Sequence, residues 1–199
     1  MSILDRNIVL KLNAGWKGIH VSSVQSGLGD MFSADSPHMA LDMTLDSKGR
    51  LDWANPLYWD EWIKLPIRDG DFTIQAAHSL VRCPIIIIAK NYSGMPIKDP
   101  KYSKDSIKLR DGNRCQYTGE LLTKHESTVD HIIPKFRGGR DSWDNCVTSK
   151  KSVNHKKGHQ LNSECGLSLL KIPTTPKPMP ASEVIRLKGI KHPFWAPFL

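Results

Sequence analysis

A turn-rich stretch from Asn91 to Tyr102, carrying Gly94, Pro96 and Pro100, divides this chain of 199 residues. Proline has no amide hydrogen to give a ladder and fixes its own φ, and glycine loses the most freedom on ordering. No long regular element is therefore expected to cross this stretch. The charge balance changes at the same place. Residues 1–100 hold 10 Lys and Arg against 11 Asp and Glu, residues 101–160 hold 13 against 7, and residues 161–199 hold 5 against 2. A basic surplus concentrated in sixty residues has the electrostatic footprint of a polyanion binder, because each cation set on a phosphate releases condensed counterions. Three segments are expected: a region 1–100, a module 101–162 and a proline-rich tail 163–199 that docks back on the fold.

The first segment places short apolar runs between turn signals, at Ile8–Leu12, Ile19–Val24, Phe72–Ile74 and Pro84–Ile88. Their β-branched content and short length predict strands. Trp53, Trp59 and Trp62 flank Pro56 and are expected to cover a sheet face. Nothing in this half suggests catalysis, which leaves it a scaffold or DNA-recognition role. With helical patterns further on, the expected class is α+β, a small β-rich region preceding a mixed module.

The longest apolar run, Pro84 to Ala89, is far too short to span a bilayer, and Met1 to Leu12 mixes Asp5, Arg6 and Lys11 into its apolar residues. A cytoplasmic protein without membrane contact is expected. Cys83, Cys115, Cys146 and Cys165 are few and far apart, which predicts reduced thiols rather than a disulfide framework.

Beyond residue 100, Ser103 is the expected cap of a helix through Ile107 and Leu109 that stops at Gly112. Ser127–Ile133 reads as a strand ended by Pro134, and Ser149 as the cap of a helix carrying Lys150, Lys151, Asn154 and Lys157. Asp130 and His131 adjoin at the end of that strand. Hydrolysing a phosphodiester needs a base to deprotonate water and a cation to neutralise developing charge. A carboxylate can hold a hard divalent ion, and a neutral imidazole is a competent base near neutral pH. An isolated Asp-His pair is nonetheless a common surface feature.

The order around the pair is more specific: Arg110-Asp-Gly-Asn-Arg-Cys115-Gln-Tyr117, Val129-Asp-His131-Ile-Ile-Pro134, Arg137-Gly-Gly139, Ser142-Trp-Asp-Asn145 and Asn154-His-Lys-Lys157-Gly158. This order resembles the HNH endonuclease family over about fifty residues, and His192–Leu199 is similar to the tail of some bacterial and phage members. His131 to Asn145 is 14 positions and Asn145 to Asn154 is 9, similar to the HNH domains of CRISPR effector nucleases.

The resemblance implies a ββα-metal module hydrolysing DNA, double-stranded in the first instance. It implies His131 as general base, Asn145 orienting it or pinning the loop behind it, and Asp130 and Asn154 as ligands of one divalent ion. An amide oxygen is a hard ligand and suits Mg²⁺, or Mn²⁺, better than a soft metal. His155 is the alternative to Asn154. Many relatives bind a structural zinc through two Cys-x-x-Cys pairs; the matching positions here are Cys115, Thr118, Lys150 and Val153. No structural zinc is expected, since four ligands are normally needed. Lys135, Arg137, Arg140, Lys150, Lys151, Lys156 and Lys157 are candidates for DNA phosphates. The setting implied is a bacterial or phage-infected cell, with a homing role among the options and the chain a monomer or homodimer. The alternative is a catalytically inactive DNA-binding or inhibitory protein that keeps the HNH fold.

Overall fold

The computed structural model describes residues 2–33, 36–76, 79–190 and 192–199. Helices and several sheets are both present, an α+β chain, and its contacts divide it into two units: residues 1–98 with 179–199, and residues 99–178.

The first unit is built on a sheet of five strands in the order β2-β1-β7-β3-β4: β1 (Val9–Leu12), β2 (Gly18–Ser22), β3 (His38–Leu45), β4 (Leu51–Leu57) and β7 (Ile86–Ala89). Strands β1 and β7 run parallel, and the other pairs are antiparallel. Side chains alternate across a strand, so a sheet buried on both faces needs unbroken apolar runs at its centre. Pro84 to Ala89 is such a run. Ile87 joins Val9, Ala40 and Trp62 in one core layer, while Ile86 and Ile88 join Leu10, Leu12, Leu41 and Met43 in the other.

Helices α1 (Val24–Phe32) and α2 (Trp59–Trp62) contribute to the first layer, next to the ribbon of β5 (Thr73–Gln75) and β6 (Leu80–Arg82). Gly27 lets α1 approach closely, since a Cβ there would sit 3.0 Å from both Ile87 and Val9 side chains. The second layer takes Trp195 and Phe198 from the terminal 3₁₀ turn Pro193–Phe198. A ladder pairs β8 (Ile97–Lys98) with β11 (Met179–Pro180), and α5 (Ala181–Leu187) follows.

Several sequence expectations change here. Val24 starts α1, capped by the Ser23 side chain, instead of ending a strand. Trp62 is buried and donates its indole N–H to the Arg82 carbonyl at 2.9 Å, whereas Trp53 is 46% exposed and covers no core. The tail does not stand as one segment: residues up to 178 belong with the second unit and those from 179 with the first.

In the second unit, α3 (Lys104–Arg110) starts at Ser103, whose side chain accepts the Ser106 amide. Strands β9 (Ser127–His131) and β10 (Cys146–Lys150) pair antiparallel, and α4 (Lys151–Lys157) follows directly. Ser149 is a buried residue inside β10, so the Ser149 cap is corrected: Lys150 holds the cap position, without a side-chain bond to the helix. Cys115, Tyr117, Leu122 and Val147 form the small core, with Val153 against it. All four cysteines are free, and burial pushes the Cys83 thiol up to about 11. No described helix is long and apolar enough to cross a membrane.

Candidate active site

Strand β9 delivers Asp130 and His131 to opposite faces, as its period of two requires. Asp130 is buried at 4% exposure and His131 is half-buried. The register sets Asp130 opposite Val147 and His131 opposite Cys146.

Asp130 lies against two inward-facing polar groups. The Tyr117 hydroxyl donates to its Oδ2 at 2.5 Å, and the Lys157 ammonium, from the last turn of α4, lies 3.2 Å from Oδ1 and 3.1 Å from Oδ2. The same ammonium donates to the His131 carbonyl at 2.6 Å. Burial, and then the neighbouring Asp130 carboxylate, hold the Tyr117 hydroxyl well above its ordinary pKa, so it stays a donor. Lys157 is fully buried, which corrects its assignment to DNA phosphates: it is the counter-charge that makes a buried carboxylate tolerable.

His131 sends Nε2 to Asp141 Oδ1 at 2.7 Å, and Lys135 Nζ meets the other oxygen at 2.7 Å. Hydrogen bonds from Lys135 and then His131 keep the Asp141 carboxyl below the usual carboxylate range. An ionised carboxylate only accepts, so Nε2–H is the donor of this bond.

The segment between the two strands is held by Asn145. Its Oδ1 accepts the Ile133 amide at 2.8 Å, and its Nδ2 donates to the Ile133 and Arg140 carbonyls, each at 3.0 Å. Gly138 closes the 3₁₀ turn Lys135–Arg137 at a φ of +86°, and Gly139 lies so close to the chain that a Cβ would fall 1.7 Å from the Ile133 carbonyl oxygen. Gly139→Ala must therefore push apart the contact that Asn145 ties, and a destabilisation of about 1–3 kcal/mol is expected in a melting experiment. An unchanged melt would show that the loop is not held this tightly.

Asp130, His131, Lys135, Phe136, Asn154 and His159 line one cavity of about 270 Å³. Sequence reasoning placed Asp130, His131 and Asn154, and the structure brings these three to a common space. Asn145 stands outside its lining as the loop tie. Asn154 is half-buried and its side-chain amide makes no hydrogen bond among the described residues, whereas His155 is exposed and outside the lining. Asp141 and the bond from Tyr117 were missed. Asp141 lies ten positions after His131 in a segment with no periodicity, and only the pairing of β9 with β10 brings it near.

Of the remaining basic candidates, Lys135 pairs with Asp141, Arg137 with Glu164 and Lys150 with Glu120, all on exposed or half-exposed side chains. Such pairs are worth little in water and exchange readily for a phosphate. Arg140, Lys151 and Lys156 are exposed.

The positions matching the zinc ligands of HNH relatives give a thiol, a hydroxyl, an ammonium engaged by Glu120 and an aliphatic side chain packed on the small core. That donor set does not fit a closed tetrahedral zinc. At Cys115, burial acts to raise the thiol pKa, but hydrogen bonds from the Thr118 side chain and from the Lys150, Tyr117 and Thr118 backbone outweigh it and set it below its ordinary value.

The HNH endonuclease family model matches residues 115–170. No curated protein matches the chain. The matched segment contains β9, β10, α4 and the whole cavity lining, and the family's general chemistry is metal-dependent cleavage of nucleic acid. Residues 115–170 therefore form a domain of the HNH endonuclease family.

Proposed function

We propose that this chain is a metal-dependent endonuclease that hydrolyses double-stranded DNA, with His131 as general base and one Mg²⁺ or Mn²⁺ held by Asp130 and Asn154. The observation that carries the reading is the single cavity shared by Asp130, His131 and Asn154. The pair of strands followed by α4 supports the ββα arrangement for the module.

An ionised carboxylate offers about four lone-pair sites, so the contacts of Tyr117 and Lys157 leave Asp130 capacity for a cation, and an amide oxygen beside it is a hard second ligand. Bound there, a divalent ion would neutralise charge on the phosphate and on the leaving oxygen. The chain's own part is proton handling. Asp141 holds Nε2–H, so Nδ1 takes the proton of the attacking water, and the resulting imidazolium is stabilised by the carboxylate already bonded to it. Asn145 fixes the loop that carries Asp141, so it acts on the base from a distance. Arg140, Lys151 and Lys156, with the exchangeable Lys135, Arg137 and Lys150, are assigned to phosphates.

Plasmid DNA incubated with the protein and Mg²⁺ should be cut, and a chelator should stop it. Binding without cleavage would refute the enzyme, and cleavage confined to RNA would refute the substrate. Asn154→Ala should lose activity chiefly through metal occupancy, so raising Mg²⁺ recovers part of the rate, while Asn145→Ala should not be rescued. A metal-rescuable defect in His155→Ala, with Asn154→Ala behaving as wild type, would move the ligand by one residue.

A further inference from the structure

On the Nε2 side of His131, the base and its Asp141 partner meet one group that the nuclease reading leaves unused, the thiol of Cys146. The nitrogen, oxygen and sulfur atoms that His131, Asp141 and Cys146 offer all lie within 4.8 Å of one another. The register brings them together, since His131 and Cys146 are directly opposed on β9 and β10 and Asp141 sits on the segment joining the strands. The Tyr102 hydroxyl donates to Cys146 Sγ at 3.1 Å, and the thiol faces the Arg140 carbonyl at 4.0 Å.

We propose that His131, Asp141 and Cys146 form a second metal site, selective for a thiophilic divalent ion of the zinc class, whose occupation switches off the base. A tetrahedral zinc with one N, one O and one S ligand sets its ligand atoms about 3.4–3.6 Å apart, so the His131–Asp141 pair, now 2.7 Å apart, opens by about 0.7 Å while the sulfur, within 4.8 Å of both, need move only about 1 Å. Mg²⁺ does not compete, because it demands oxygen ligands in octahedral geometry. Three protein ligands leave the fourth position to water.

The switch follows from proton placement. The ion takes Nε2, where the proton shared with Asp141 now sits. That proton moves to Nδ1, and the Cys146 thiol releases its own to solvent as the sulfur–metal bond forms. One proton leaves per ion bound, and nothing is oxidised or reduced. The ring stays where it is, but the lone pair that would accept the water's proton is now protonated.

The inhibitory effect rests on the nuclease reading, whereas the site itself does not. Cobalt(II) added to the full chain reports both geometry and ligands, through the d–d bands of a tetrahedral ion and a thiolate charge-transfer band. One equivalent should produce both. Cys146→Ser should lose the charge-transfer band, and Cys115→Ser should keep it. Asp141→Asn, at a half-exposed position, should bind cobalt at least about tenfold more weakly. A wild type without the band, a band that persists in Cys146→Ser, or wild-type affinity in Asp141→Asn would overturn the site. In plasmid cleavage with excess Mg²⁺, added Zn²⁺ should stop the wild type at concentrations where Cys146→Ser retains its own zinc-free rate, and equal sensitivity of the two would overturn the switch. A protein that shows the cobalt bands but cuts nothing supports the site and refutes the nuclease reading.

Discussion

His131→Ala is expected to lower DNA cleavage by about 10²–10⁴-fold while DNA affinity stays within a few fold. A positioned base contributes rate factors of that order, and it acts on water, so it adds little to ground-state binding. The comparison that isolates the base is single-turnover cleavage beside a binding titration at the same salt. His131 is half-buried and, among the described residues, its imidazole bonds only to a half-exposed Asp141, so truncation leaves no buried charge behind. Cleavage within tenfold of wild type would remove His131 from the reaction.

Lys157→Ala should have the largest effect on stability, about 3–5 kcal/mol, because it strands the Asp130 carboxylate in a buried site where, among the described residues, the Tyr117 hydroxyl is its one remaining side-chain partner. The His131 carbonyl loses a donor as well. Replacing both partners, as Asp130→Asn with Lys157→Met, removes the charge instead of isolating it, so the double variant should recover most of the loss. Chemical denaturation of the four proteins in the cycle gives the coupling directly. If Asp130 also holds the divalent ion, Mg²⁺ should restore part of the stability of Lys157→Ala and none of that of the double variant. A loss under 1 kcal/mol in Lys157→Ala would mean that the ammonium is not the counter-charge of Asp130.

Sequence reading was strongest where a local rule decides the outcome. Ser103 caps α3 because a side-chain oxygen can satisfy a free helix amide, and the apolar Ile run became a strand buried on both faces. Asp130, His131 and Asn154 were named together through the order of their motif, and they share a cavity. What was not legible depends on partners distant in sequence. The burial of Lys157 needs Asp130, 27 positions earlier, to be aimed inward, and a lysine in the last turn of a basic helix reads as a solvated charge until that is known. Asp141 meets His131 only once β9 and β10 are in register. Ser149 sits one residue before Lys150, and the strand β10 took the residue that a helix start would otherwise have used. Strands β3 and β4 are hard to read from the sequence because Asp42 and Asp52 interrupt their apolar pattern. Asp42 is in fact buried, neutralised by Arg68 at 2.7 Å and Arg82 at 3.1 Å.

The ladder between β8 and β11 pairs Lys98 with Met179 and Ile97 with Pro180. In a hairpin, residues so paired are joined by a turn of a few residues; here the intervening chain is residues 99–178, an entire unit. In chain order the HNH-bearing unit is an insertion in the loop of a hairpin stem. It enters and leaves its host through neighbouring strands, so the host's connectivity does not depend on what the insertion contains. A two-residue Asn-Gly turn could close the same stem, and a different domain with closely spaced ends could be carried on it.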